Sequence, residues 1–434
     1  MHPATRLAQA MALHQSGRLR EARKHYEQIL RQRPIDADAL HFLGVLRHNL
    51  GESEAGIELI RRSLKIAPRN SHAWLNLGNI LLELDRAQAA HSAYQQATDC
   101  APESADAWFN LGVCSRKLQR AAEAIAALDR AIELRAGHAP AHFQRGIAQR
   151  DAGNLNAAEA DYRQALQVAP DLLAVYESLG VLLYRQGRIA HAALVYEQWL
   201  ARDPSNVVAQ HMAAAMSGQN VPERASDAYV AQNFDRFADT FDQNLQQLLY
   251  RAPALTASAL RHAIGADRVL DAVLDAGCGT GLCAPLLRPM ASRLVGIDLS
   301  AGMIDKARAK NIYDELEVAE LGAFMRGCPA AFDAVVAADT LVYFGALEAV
   351  LSAARQALRP EGWLVLTLEK MPPELPPQSY TIMPHGRYAH RTEYVEMALR
   401  REEFEQISVD TQVLRTERGE DVIGLLVSAR RHSE

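Results

Sequence analysis

The sequence predicts a two-part chain: an all-α repeat array followed by an α/β domain built on a parallel sheet. Three observations carry this. Gly44, Gly78, Gly112, Gly146 and Gly180 recur every 34 residues. From residue 266 onward, short apolar runs alternate with longer amphipathic segments. Between them "VLDAGCGTG" places three glycines at alternate positions just after an apolar run. At 434 residues the chain is long enough for two or three domains.

In the first half, Pro34, Pro68, Pro102, Pro170 and Pro204 keep the same period, with Ala136 in the one missing place. Two apolar-periodic segments fall between successive marks, so each repeat is a helix, a turn and a second helix. Small residues let the paired helices approach, large ones fill the space between repeats, and proline ends the second helix. In one repeat the marks are Trp74, Leu77, Gly78, Ala90, Tyr94, Ala97 and Pro102; in the next they are Trp108, Leu111, Gly112, Ala124, Leu128 and Ala131. This pattern resembles the tetratricopeptide repeat (TPR) family, with about six repeats over roughly residues 3 to 206. The resemblance implies a right-handed superhelix whose concave face binds a protein or peptide. Asn76 and Asn110 lie where similar proteins hold a peptide backbone, and are otherwise solvated polar positions. Gln144 and Ser178 follow at the same place, and Phe42 departs from it. Arg116, Lys117, Arg150 and Arg185 make the later concave face more basic, suiting an acidic peptide if they are not simply solvated.

"AAAMSGQNVPERASDAYV" loses the period and contains Gly218 and Pro222. It sets the expected division: a solenoid over 1–217 with a terminal capping helix, a linker over 218–228, and a second domain over 229–434.

In the second half, "VLDAVLDAG", "RLVGIDLS", "ELEVAEL", "FDAVVAAD" and "GWLVLTLE" read as five buried strands with helices between them. Strand and helix alternation implies a parallel sheet covered on both faces. Ligands of such sheets bind at the carboxyl ends of the strands, and the glycine loop lies at one. Gly277, Gly279 and Gly281 remove side chains and allow a tight turn, so the backbone can touch a ligand. The loop lacks dinucleotide spacing, and Asp275 precedes its first glycine, which suits a cationic ligand better than a pyrophosphate. A nicotinamide-dependent oxidoreductase is therefore the weakest reading.

From about residue 229 the chain resembles the class I S-adenosylmethionine-dependent methyltransferases, particularly the type 11 and 12 groups and predicted TPR-containing members. The resemblance implies a Rossmann-like domain with a seven-stranded sheet and S-adenosyl-L-methionine as cofactor. Asp275, Gly277, Gly279 and Gly281 match the motif around the cofactor's amino-acid part. Asp298, 23 residues further on, matches the acid that accepts bonds from both ribose hydroxyls. Ser300 and Met303 follow where relatives pack on adenine, Glu320 and Leu321 flank the adenine amino group, and Asp339 faces the acceptor. Candidates for a base are Asp339, Tyr343, His385 and His390, with His390 equally readable as part of a helix start. Tyr229, Phe237 or Tyr250 is expected to close the site. The proline-rich stretch 371–388 is expected to cap the acceptor side. "ADTLVYF" lacks the Pro-Pro-aromatic signature of enzymes acting on exocyclic base amines or glutamine.

Function then lies between two classes. One is an active methyltransferase whose repeats recruit an acceptor or partner protein. The other is a repeat adaptor with a catalytically retired cofactor-binding domain. Intact Asp275, Asp298 and glycines favour the first. A net charge of -6 supplies no basic field for nucleic acid, and no apolar run is long enough to span a membrane. The five scattered cysteines have no metal-ligand spacing, so no metal is expected; they read as reduced thiols in a cytoplasmic protein. Cys278 and Cys283, beside the loop, read as small packing residues rather than reactive thiols.

Overall fold

The computed structural model describes residues 3–417 and 419–433; Met1, His2, Arg418 and Glu434, which fall in the expected domains, lie outside the described residues. The chain divides into two compact units, Met1–Leu182 and Leu183–Glu434. The first is α-helical throughout, in antiparallel pairs such as Ser71–Glu83 with Ala87–Cys100.

The 34-residue period has a physical cause at each mark. A Cβ on Gly78 would lie 2.5 Å from Tyr94 Cε1, and one on Gly146 would lie 2.6 Å from Tyr162 Cε1. Only glycine allows the paired helices to come so close. Asp36, Asn70, Ser104 and His138, also 34 apart, cap the first helix of successive repeats by accepting from the backbone N–H three residues on. Trp74 Nε1 donates to Pro68 O at 2.9 Å, Trp108 Nε1 to Pro102 O at 2.9 Å and Tyr176 Oη to Pro170 O at 3.1 Å, so the large residue of each repeat fastens the preceding turn.

The second unit contains the helices Ile189–Arg202 and Val207–Ser217 and then the α/β layer. Its strands are β1 (Leu270–Ala276), β2 (Ala291–Asp298), β3 (Glu315–Val318), β4 (Phe332–Ala337), β5 (Leu358–Lys370), β6 (Tyr380–Ile382), β7 (Tyr388–His390), β8 (Phe404–Glu417) and β9 (Glu420–Arg431). β3-β2-β1-β4-β5 run parallel, β9 pairs antiparallel with β5, and β8 pairs with β9. These are the seven expected strands. The sheet has nine because 371–388 contributes β6, which pairs with β7, and β7 joins the end of β5 through Glu369 and Lys370. Successive side chains bury on opposite faces: Val273, Leu294, Val336 and Val365 enter one core, Leu274, Val295, Val335 and Leu366 the other.

The helix Val207–Ser217 packs on the β6–β7 turn. His211 Nε2 lies 2.7 Å from Gly386 O and its ring stacks on Tyr229 at 3.9 Å between centres. The stretch 218–228 is also fastened down: Tyr388 Oη donates to Pro222 O at 2.8 Å and Ala225 N to Tyr343 O at 2.8 Å.

Candidate functional site

The carboxyl ends of β1, β2 and β4 open on a pocket whose lining is drawn from between Arg224 and Phe344. The glycine loop forms one wall. Gly277 and Cys278 both donate from the backbone to Ile297 O, at 2.9 and 2.8 Å, folding the loop back over β2. Gly277 has φ +80°, and a Cβ there would lie 2.3 Å from Thr340 Oγ1. That hydroxyl donates to Ala276 O at 2.9 Å, locking loop and β4 together. A Cβ on Gly279 would meet only Phe241, at 3.9 Å, so this part of the loop faces open space.

Asp298 lines the cavity at the end of β2. Its Oδ2 accepts from Gly279 N and its Oδ1 from Ser300 N, both at 2.9 Å, leaving further lone pairs on each oxygen. Burial raises its pKa, against these backbone bonds. Asp275 instead lies beneath the loop, outside the cavity lining and 1% exposed. Its Oδ2 accepts from Tyr313 Oη at 2.6 Å, while Oδ1 has no partner among the described residues. Burial pushes this carboxyl up to about 7.

Of the other expected cofactor residues, Gly279, Glu320, Leu321 and Asp339 line the cavity beside Gly277 and Asp298. Gly281, Ser300 and Met303 do not. A Cβ on Gly281 would meet Tyr313 at 3.0 Å. Ser300 caps the following helix through Met303 N, and Met303 is fully buried. Glu320 likewise caps a helix, accepting from Gly322 N and Ala323 N. Cys278 and Cys283 are buried, and burial raises both thiols, holding them protonated.

The base candidates separate. Asp339 and Tyr343 line the cavity, with Asp339 in the left-handed region at φ +54°. Such a backbone costs a non-glycine residue roughly 1 kcal/mol or more. His390 is fully buried in β7, with Nε2 3.0 Å from Gly345 O, and burial lowers it to about 4. His385 lies away from the lining, with Nε2 3.2 Å from Glu369 Oε2. Of the three aromatic closers, Tyr250 lines the cavity, Tyr229 packs on His211, and Phe237 is 45% exposed.

Two groups of residues beside the cavity lie outside the sequence expectations. Behind Asp339 lies a buried ion cluster. Arg415 is 3% exposed; its Nη1 donates to Asp339 Oδ2 at 2.7 Å, its Nε to Glu417 Oε1 at 2.6 Å and its Nη2 to Glu369. Arg387 Nε donates to Glu369 Oε1 at 2.6 Å and its Nη2 to Glu417 Oε1 at 2.7 Å. Burial alone would raise Glu369, but His385, Arg387 and Arg415 hold it well below the usual carboxylate range. The second group straps the segment 227–247 onto the loop. Asp235 Oδ1 accepts from Ser300 Oγ at 2.5 Å and Gly302 N at 3.1 Å, and Asp242 Oδ1 accepts from Thr280 Oγ1 at 2.5 Å. "NFDRFADTFDQN" held that signal, since it places acids at regular intervals before the sheet.

A repeat array joined to an α/β domain with a ligand-sized cavity at its strand ends is the class that fold and site define. Residues 7–71, 75–139 and 143–207 match the tetratricopeptide repeat family, and residues 274–366 match the family described as methyltransferase domain. The chain carries tetratricopeptide repeats and a methyltransferase domain. It is similar to methyltransferase-like protein 27 of Homo sapiens, 33% identical over 144 residues that cover 33% of this chain and 58% of that protein. It is also similar to malonyl-[acyl-carrier protein] O-methyltransferase of Yersinia pestis, 35% identical over 88 residues, 20% of this chain and 30% of that protein. The chain thus spans well under two thirds of the length of either relative. Among solved structures, PilF of Pseudomonas aeruginosa is similar at 20% identity and a TM-score of 0.43, covering 49% of this chain and 96% of that one.

Proposed function

We propose that the second unit is an active S-adenosylmethionine-dependent methyltransferase and that the repeats recruit a protein or peptide partner. The single observation that supports this most is the cavity wall formed by Gly277, Gly279 and Asp298 together. The residues fit the cofactor. Gly279 leaves room for close backbone approach, Asp298 retains acceptor capacity for ribose hydroxyls, and Leu321 gives an apolar surface for adenine beside Glu320. Asp275 Oδ1, buried with no partner among the described residues, leaves an acceptor under the loop, and a cation bound above it would favour the charged form that burial disfavours. The cofactor supplies an activated methyl group. The chain's own work is then to bind, to orient the acceptor and to exclude water. That Asp339 and Tyr343 line the cavity, and His385 and His390 do not, favours the first two as the groups that meet an acceptor.

The intact loop argues against a retired domain. Gly277, Gly279 and Gly281 are all at positive φ, and the first two line the cavity. Five free cysteines fit a cytoplasmic protein, and among the described residues no helix is long and apolar enough to cross a membrane. Calorimetric titration with S-adenosylmethionine and S-adenosylhomocysteine tests the reading. Micromolar binding that Asp298→Ala removes is expected, and a folded chain that binds neither overturns it.

A further inference from the structure

The β4 side of the cavity differs in chemistry from the glycine-loop side. Its wall is aromatic. Phe234 meets Tyr343 edge-on at 5.6 Å between ring centres, Tyr250 lines the same cavity, and Phe241, edge-on to Phe234 at 5.9 Å, carries the aromatic surface across to Gly279. Tyr250 and Tyr343 both line the cavity, and burial raises both phenols, so they stay neutral and can donate or accept.

Asp339 completes this side with its side chain 16% exposed. Two arginines lie behind it, yet neither is free to serve a ligand. Arg415 is divided among Asp339, Glu369 and Glu417, and Arg387 between Glu369 and Glu417. Three carboxyl groups share two guanidiniums, so the arginine donors are taken up within the cluster. Arg224, the cation in the lining, is held by Asp227 at 2.7 Å and Glu320 at 3.4 Å and lies over Phe344.

An acceptor entering as a carboxylate would lose its hydration without gaining an uncommitted cation, and would face Asp339 as a like charge. A hydroxyl or amine would instead donate to Asp339 and to the phenol oxygens. A protonated amine would also gain from the aromatic faces. We infer that the β4 side of the cavity takes an acceptor whose reacting end is a hydrogen-bond donor, amine or hydroxyl, on an apolar body, and rejects a carboxylate. This rests on the cofactor reading above.

The test is titration of the full chain, saturated with S-adenosylhomocysteine, with phenethylamine, phenethyl alcohol and phenylacetate, which share one apolar body. The amine and the alcohol should each bind at least about tenfold more tightly than the carboxylate. Asp339→Asn should remove the amine's advantage over the carboxylate; if that variant does not fold, the unsubstituted chain decides. Phenylacetate binding as tightly as the others, or no saturation by any of the three at millimolar concentration, overturns the inference. Failure of S-adenosylhomocysteine itself to bind removes the cofactor reading and this inference with it, whereas its binding without a preference among the probes removes only this inference.

Discussion

Replacing Arg415 by methionine removes the hub of the buried ion cluster while keeping much of its apolar stem. Glu369 would retain Arg387 and His385, and Glu417 would retain Arg387. Asp339 would keep one side-chain hydrogen bond among the described residues, from the Thr367 hydroxyl 3.2 Å from its Oδ1, and the more distant charge of Arg387. The damage therefore concentrates on one carboxylate. Removing one partner of a buried pair costs about 3–5 kcal/mol, because the other charge stays desolvated. Burial already raises Asp339, with Arg415 opposing it, so losing Arg415 raises it further. A carboxyl raised in the folded state destabilises that state above its folded pKa and is relieved as pH falls through it. Urea unfolding should therefore show Arg415→Met losing about 3–5 kcal/mol at pH 8 and distinctly less at pH 5. Arg415→Met combined with Asp339→Leu should recover part of the loss, since no lone charge remains. A loss below about 1 kcal/mol at pH 8 would refute the reasoning, placing the cluster in effective contact with water.

Three further expectations follow from single positions. Gly277→Ala forces a side chain onto Thr340 at a positive φ, so it should abolish cofactor binding and lower the unfolding midpoint, as read by calorimetry and urea titration. Asp275 is raised from 3.8 to about 7, so its contribution to stability is fully present below about pH 4 and lost as pH rises through about 7. Asp275→Asn should flatten that dependence, with the substituted and unsubstituted chains differing by about 2–4 kcal/mol between pH 5 and pH 8 in urea midpoints. Gly78→Ala places a methyl against the buried Tyr94 ring and should cost about 1–3 kcal/mol in unfolding of the repeat unit, followed by circular dichroism.

The repeats were legible because the same packing constraint recurs at a fixed period: glycine against the ring or branched side chain of its partner helix. The N-caps Asp36, Asn70, Ser104, His138 and Asn206 carry the same period and could have been read as well, since each precedes a helix start by one residue. The glycine loop was legible as a motif, but its inside and outside were not. Asp275 and Asp298 both lie at the carboxyl ends of strands, and only the fold of the loop buries one against Tyr313 and leaves the other in the lining. The cluster around Arg415 escaped because its members are far apart in sequence: Arg415 and Asp339 are 76 residues apart and meet only when β8 reaches the carboxyl end of β4. His390 illustrates the opposite error. A histidine beside Arg391 and Thr392 suggests chemistry or a cap, yet all three residues of β7 are buried and its ring serves Gly345 O. The expected cap at 371–388 became a sheet extension because Tyr380 to Ile382 find partners in Tyr388 to His390.

Whether the glycine loop and Asp298 form a cofactor site is decided by one titration. The full chain is titrated calorimetrically with S-adenosylmethionine, alongside Asp298→Ala, with circular dichroism confirming that both are folded. One site per chain with micromolar affinity, lost in the variant, is expected. Undiminished binding by Asp298→Ala, or no binding by the folded unsubstituted chain, would contradict it.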